Sequence, residues 1–151
     1  MAHYNKSTRD RIADINTGMR VDIPTSLVRD KAIFTVGGGR VLLVNLVGYV
    51  TTAIGAGANN TKLQHDATNG AAVDLCANLD LDACAQFSFL AITGATADAM
   101  TKATSAIRGM TIPVILGPGQ IKIVRTADAT GSVAWSVWYV PLDDGAYIEA
   151  A

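Results

Sequence analysis

This chain is poor in the residues that most chemistry needs. Its 151 residues include two histidines, two cysteines and two tryptophans, and only 17% are charged. Cys76 and Cys84 are too few for a disulfide scaffold, and neither sits in a CxxC pair or at zinc-ligand spacing, so free buried thiols are expected. His3 and His65 stand alone, away from any other His or Cys at ligand spacing, and no metal or cofactor is expected. There is no Gly-x-Ser-x-Gly elbow, and no Ser, His and Asp are placed together, so no catalytic residue is assigned and no enzyme is expected. The longest apolar stretch, Val41 to Val50, contains Asn45 and Gly48 and is too short to span a bilayer. The first ten residues lack an apolar h-region, which predicts no secretory leader and synthesis in a cytoplasm. A net charge of −1 gives no overall electrostatic reason to bind nucleic acid.

What the chain does have is apolar bulk. Half of its residues are hydrophobic, in a length that suits one domain. Low charge and high apolar content together point to a surface partly covered by partners, hence to an oligomer or a large assembly. Charge is unevenly spread. Lys6, Arg9, Arg11, Arg20, Arg29 and Lys31 crowd the front, whereas Asp128, Asp143, Asp144 and Glu149 end the chain with no basic residue after Arg125. Such a basic front and acidic end can complement each other between copies, or can simply be solvated.

Period two dominates the patterning. Residues 1–25 are the exception: polar, weakly periodic and closed by Ile23-Pro24. They are expected to form an extended N-terminal arm, with a short helical turn near Ser7–Ile15 where Ser7-Thr8-Arg9-Asp10 resembles a capping box. Residues 26–151 are expected to form one β domain. Lys31–Val36 reads as a strand stopped by Gly37-Gly38-Gly39. Arg40–Thr52 is the longest strand, apolar enough to be buried on both faces or to lie at a subunit contact. Gly48 within it marks a bulge or a close backbone approach. Thr61–His65 is a further strand, followed by an Asn69-Gly70 turn. Ala72–Asp82 alternates throughout, with Val73, Leu75, Ala77, Leu79 and Leu81 on one face. Gln86–Thr93 places Phe87, Phe89 and Ala91 together. Ala97–Ala106 fits a short helix or a loop. Pro113 puts Met110–Leu116 at an edge or a bulge. Gln120–Thr126 and Ser132–Leu142 read as a hairpin pair, and an Asp143-Asp144-Gly145 turn leads to a last short strand. The expected fold is all-β: an antiparallel β-sandwich or barrel with an extended N-terminal arm.

Three patterns invite chemistry. Gly37-Gly38-Gly39-Arg40 suggests a phosphate loop but misses the spacing of both nucleotide fingerprints, and a turn between strands explains it better. Asp74, Asp80 and Asp82 share a strand face with Asn78, yet one face supplies too few oxygens for calcium, which favours a solvated or inter-subunit polar face. Trp135, Trp138 and Tyr139 could form a sugar platform. Alternation, however, sends Trp135, Val137 and Tyr139 to one side and Ala134, Ser136, Trp138 and Val140 to the other. Trp138 and Tyr139 are taken as contacts outside the core, and Arg9, Arg11 and Arg20 as contacts on the arm.

Four stretches carry a resemblance. They are Lys31-Ala32-Ile33-Phe34-Thr35-Val36-Gly37-Gly38-Gly39-Arg40-Val41, Leu46 to Ile54, Asp74-Leu75-Cys76, and the run Gly131 to Ala146 with its Trp-Ser-Val-Trp-Tyr-Val-Pro-Leu core and acidic-Gly turn. Together they resemble small structural proteins of tailed-bacteriophage virions, over about residues 30–151. The resemblance implies a head decoration (cement) protein: a non-enzymatic homotrimer on the capsid surface that ties neighbouring major capsid protein subunits together. The alternatives are a tail or head–tail joining component of the virion, and a carbohydrate-binding β-sandwich with Trp135 or Trp138 as its platform.

Overall fold

Alternating side chains give each long strand one face to bury, and the chain satisfies this by crossing repeatedly between two sheets. The structure, a computed structural model, describes residues 19–26 and 30–151. Arg9, Arg11 and the turn expected near Ser7–Ile15 lie outside the described residues. The described residues form twelve strands: β1 (Met19–Ser26), β2 (Lys31–Gly37), β3 (Val41–Thr52), β4 (Asn60–Ala67), β5 (Val73–Asp74), β6 (Leu79–Asp80), β7 (Phe89–Ala91), β8 (Thr101–Ala103), β9 (Val114–Leu116), β10 (Gly119–Arg125), β11 (Ser132–Pro141) and β12 (Tyr147–Ala150). The described residues contain no helix.

The front sheet runs β1-β11-β3-β7-β8, with β9 also on β3, and the back sheet runs β12-β2-β10-β4-β5, with β6 also on β4. All these ladders are antiparallel. The two sheets pack as a β-sandwich and do not close into a barrel. Leu43, Leu46, Val50, Trp135 and Val137 from the front meet Phe34, Leu63, Ile121 and Ile123 from the back, all fully buried. Burying each such side chain contributes about 1.5–3 kcal/mol relative to leaving it in water.

Several expectations need correction. Residues 19–25, expected to belong to the arm, instead lie in strand β1 (Met19–Ser26), paired with β11 from Met19↔Tyr139 to Ser26↔Ser132. β10 and β11 are not a hairpin: β10 pairs β2 and β4 in the back sheet, whereas β11 lies between β1 and β3 in the front sheet. The 126–131 link crosses the sandwich, and local alternation cannot tell such a crossing from a hairpin turn. Ala72–Asp82 is not one strand but two short pieces, β5 and β6, both on β4. Its even pattern fails in the middle, where Leu75 and Cys76 are both buried while Val73 is 54% exposed. Ala97–Ala106 holds β8 and no helix. β3 buries one face fully (Val41, Leu43, Leu46, Val50), while Leu42, Val44, Val47 and Tyr49 on its outer face are half-buried.

Two glycine positions follow from packing. A Cβ on Gly48 would lie 2.9 Å from both the Trp135 ring and Val133 Cγ1, so the close approach expected there is real and its occupant is Trp135. At Gly38 and Gly39 φ is 72° and 143°, conformations that favour glycine. The Gly37-Gly38-Gly39 turn packs against the Asp143-Asp144-Gly145 turn, where Asp143 accepts from the Arg40 backbone N–H at 2.6 Å and from Arg40 Nη2 at 2.6 Å. This clasp accounts for the glycine run without any phosphate.

Candidate docking face

The outer side of the front sheet is built from residues that alternation sends away from the core. On β11 these are Ala134, Ser136, Trp138 and Val140, and each is partly exposed, whereas Val133, Trp135, Val137 and Tyr139 are buried. Tyr139 is 2% exposed and belongs to the core cluster, so its expected role as an outside contact does not hold. It falls on the Trp135 side of the strand, as period two requires. Trp138 keeps its place on the outer side. Arg20, on the neighbouring β1, sits opposite Trp138, with its guanidinium 5.2 Å from the Trp138 ring centroid, a cation–π arrangement. The structure thus brings together two of the expected contact residues. Arg20 also donates to Asp22 at 2.9 Å, and Ser136 Oγ donates to the same carboxylate. The Ser136 bond, ahead of the Arg20 charge, holds the Asp22 carboxyl below its usual range.

Further along this face lie apolar rows. Ile115 on β9 faces Leu42 on β3, which faces Val140 on β11, and Ile115 is 62% exposed. At the other end Tyr49 packs on Phe89 with ring centroids 5.1 Å apart, and Phe87 stands 6.2 Å from Tyr49. Phe87 is 59% exposed and has a φ of 70°. A left-handed backbone at a bulky residue costs about 1–2 kcal/mol, and such strain clusters at functional positions. The backbone there is held by the Phe87 N–H to Val50 O and the Val50 N–H to Ser88 O, both 2.8 Å. Between the two apolar ends the chain near Met110 crosses the sheet, its N–H bonded to Asn45 Oδ1 at 3.1 Å. Sequence reasoning placed Phe87 and Phe89 on one side but did not pick out Phe87. A positive φ at a phenylalanine leaves no mark in hydrophobic periodicity.

The outer side of the back sheet is different. Lys62 Nζ meets Asp74 at 2.8 Å, Gln64 donates to the same carboxylate at 2.9 Å, and Lys122 pairs with Asp66. These groups satisfy one another across neighbouring strands. The three aspartates expected on one strand face do not converge: Asp74 serves Lys62, Asp80 accepts from the Asn59 and Asp82 backbone N–H groups, and Asp82 accepts from Gly57 N–H. No group of three His, Cys, Asp or Glu among the described residues could hold a metal ion. Both cysteines are free and buried, and burial pushes the Cys76 thiol up.

Polar groups inside the sandwich gather on the back sheet. Arg125 is 3% exposed and donates from Nε to Asn59 Oδ1 (3.1 Å) and Thr61 Oγ1 (3.2 Å), tying the end of β10 to the start of β4. Burial lowers its pKa, with the Asp128 charge opposing. Beside it a cleft of about 240 Å³ is framed by Gly55–Asn59 and Ala127–Thr130. It offers backbone and small side chains, with Asp128 its one ionisable group. His65 is 6% exposed, and neither ring nitrogen has a hydrogen-bond partner. Burial lowers its pKa, with the Asp66 charge opposing. No known protein family, curated protein or solved structure matches this chain.

Proposed function

We propose that this chain is a decoration (cement) protein of a tailed-phage head, docking on the major capsid protein through the outer side of its front sheet. The observation that carries this reading is the contrast between the two outer faces. An antiparallel sheet facing water normally shows polar residues there, as the back sheet does. The front sheet shows Trp138, Val140, Leu42, Ile115, Tyr49, Phe87 and Phe89 there, with Arg20, Asp22 and Ser136 as a polar group beside Trp138. Exposed apolar patches rich in aromatic side chains mark protein contact surfaces, and aromatic anchors dominate their energetics. A cement protein needs no catalytic centre. It needs apolar area that becomes buried when it sits across capsid subunits, at roughly 25 cal/mol per Å² before association costs. The reading includes location on the virion and assembly as a homotrimer.

The test is to mix the purified protein with undecorated heads, count bound copies and follow the melting of the heads. Binding in hundreds of copies with a raised capsid melting temperature supports decoration. Saturation at a few copies transfers the chain to the neck or tail. A protein that ignores heads overturns the reading. Native mass tests the trimer. The sugar-platform alternative is disfavoured by Arg20, whose guanidinium already covers a face of Trp138.

A further inference from the structure

We propose that the outer edge of β1 is a pairing site for the same edge of a second copy, in a two-fold register centred on Val21. β1 is the last strand of the front sheet and pairs only β11 among the described residues. A terminal strand leaves a row of backbone N–H and C=O groups open for another strand. The charges on this edge complement themselves. In an antiparallel pairing of β1 with its own copy about Val21, Arg20 of each copy stands opposite Asp22 of the other. Both side chains point to the same outer side, since Arg20 faces Trp138 and Asp22 faces Ser136 on β11. The contact therefore exchanges the Arg20–Asp22 pair within each chain for two opposed-charge pairs between chains, related by the symmetry of an isologous contact.

The apolar side of the strand fits the same register. Val21 and Ile23 are only partly buried and Met19 is 38% exposed, although they face the core side. No strand lies beyond β1 to cover them among the described residues. In the two-fold register Met19 meets Ile23 of the second copy, and Val21 meets Val21. Pro24, the next residue, has no N–H to donate, which ends the pairable run and discourages slipped registers. A run this short makes a weak and salt-sensitive contact by itself. It uses the open edge of the front sheet rather than the middle of its outer face, with Arg20 bordering both, so it stands whether or not the chain decorates heads, and it can link larger assemblies in pairs.

The test uses the full chain and two charge variants. Arg20→Glu makes the edge wholly acidic, and Asp22→Lys makes it wholly basic. Both side chains are more than half exposed, so the fold tolerates the changes. At low ionic strength the native mass of the wild type is expected to exceed that of either variant, each of which should self-associate about tenfold more weakly. An equimolar mixture of the two variants should recover the wild-type mass. In the mixed pair the glutamate introduced by Arg20→Glu faces the lysine introduced by Asp22→Lys, and the unchanged Asp22 of one copy faces the unchanged Arg20 of the other. A role of Arg20 and Asp22 within one chain cannot produce recovery on mixing. Equal masses for wild type and variants overturn the proposal and leave this edge to a foreign strand. Failure of the mixture to recover overturns the two-fold register.

Discussion

The two sheets solve the same problem in opposite ways. The back sheet carries polar groups on both sides: Lys62–Asp74 and Lys122–Asp66 outside, His65, Thr61 and Arg125 inside. The front sheet is apolar inside, with Trp135, Val137 and Leu46, and outside it sets Trp138, Val140, Tyr49 and Phe89 around a small polar group of Arg20, Asp22 and Ser136. Polar residues on a solvated face cost nothing, so water is the natural neighbour of the back sheet. Leaving aromatic area in water gives no stability, and its concentration on the front sheet makes sense when another surface removes it from water. The comparison teaches that the outer face of the back sheet is matched to water, whereas the outer face of the front sheet leaves aromatic area on which the proposed docking rests.

Paired tryptophans test the contrast most strongly. Trp135→Ala removes a fully buried ring that Gly48 is shaped to admit, and should cost about 3–5 kcal/mol in denaturant unfolding. Trp138→Ala, on the opposite side of the same strand, should cost less than about 1 kcal/mol and yet weaken head binding. Equal costs for the two would erase the distinction between inner and outer sides of β11.

His65 tests the polar interior of the back sheet. Its folded pKa is lowered from the ordinary 6.5, chiefly by burial. The unfolded chain therefore takes up the proton first. Stability is whole above about pH 6.5 and falls as pH drops from there toward the lowered folded value. The carboxylates act in a separate window. Asp143, held by Arg40 with a pKa of about 2, and Asp22, Asp74 and Asp80, all lowered from 3.8, lose their contribution only as pH falls through and below the ordinary carboxylate range. His65→Gln should remove the slope in the upper window and leave the acid limb unchanged. Melting temperatures measured across both windows check this, and an unchanged upper slope would assign it to another group.

The sandwich itself was legible because period two, glycine turns and scarce helix signals all agree. The Gly48 approach, the Pro113 edge and the final acidic turn were legible for the same reason: each is a local steric rule. What was illegible is non-local. Nothing around Asp128 distinguishes a turn that returns to the same sheet from one that crosses to the other, so β10 and β11 looked like partners. β1 hid among polar residues because its inner face holds only Met19, Val21 and Ile23. Of the docking face, Trp138 and Arg20 were read out individually, but their stacking needed the β1–β11 register, and Tyr139 was assigned to the wrong side of an alternation that was itself correct.

Phe87 offers the smallest effect and the sharpest sign. Most substitutions of a large apolar residue destabilise, and Phe89 or Leu90 beside it should follow that rule. Phe87 has most of its ring in water and a backbone that a side chain rarely adopts. Glycine adopts that backbone without strain, although it also gains freedom in the unfolded chain. Phe87→Gly loses the partial packing on Tyr49 while relieving about 1 kcal/mol of backbone strain. The expected result is a chain as stable as the wild type or slightly more so, with head binding reduced. Phe87→Ala, which removes the ring but retains the strain, should bind equally poorly and be the less stable of the two. If Phe87→Gly instead unfolds more readily than the wild type, the ring holds the fold together, and the front sheet has lost its clearest sign of a partner.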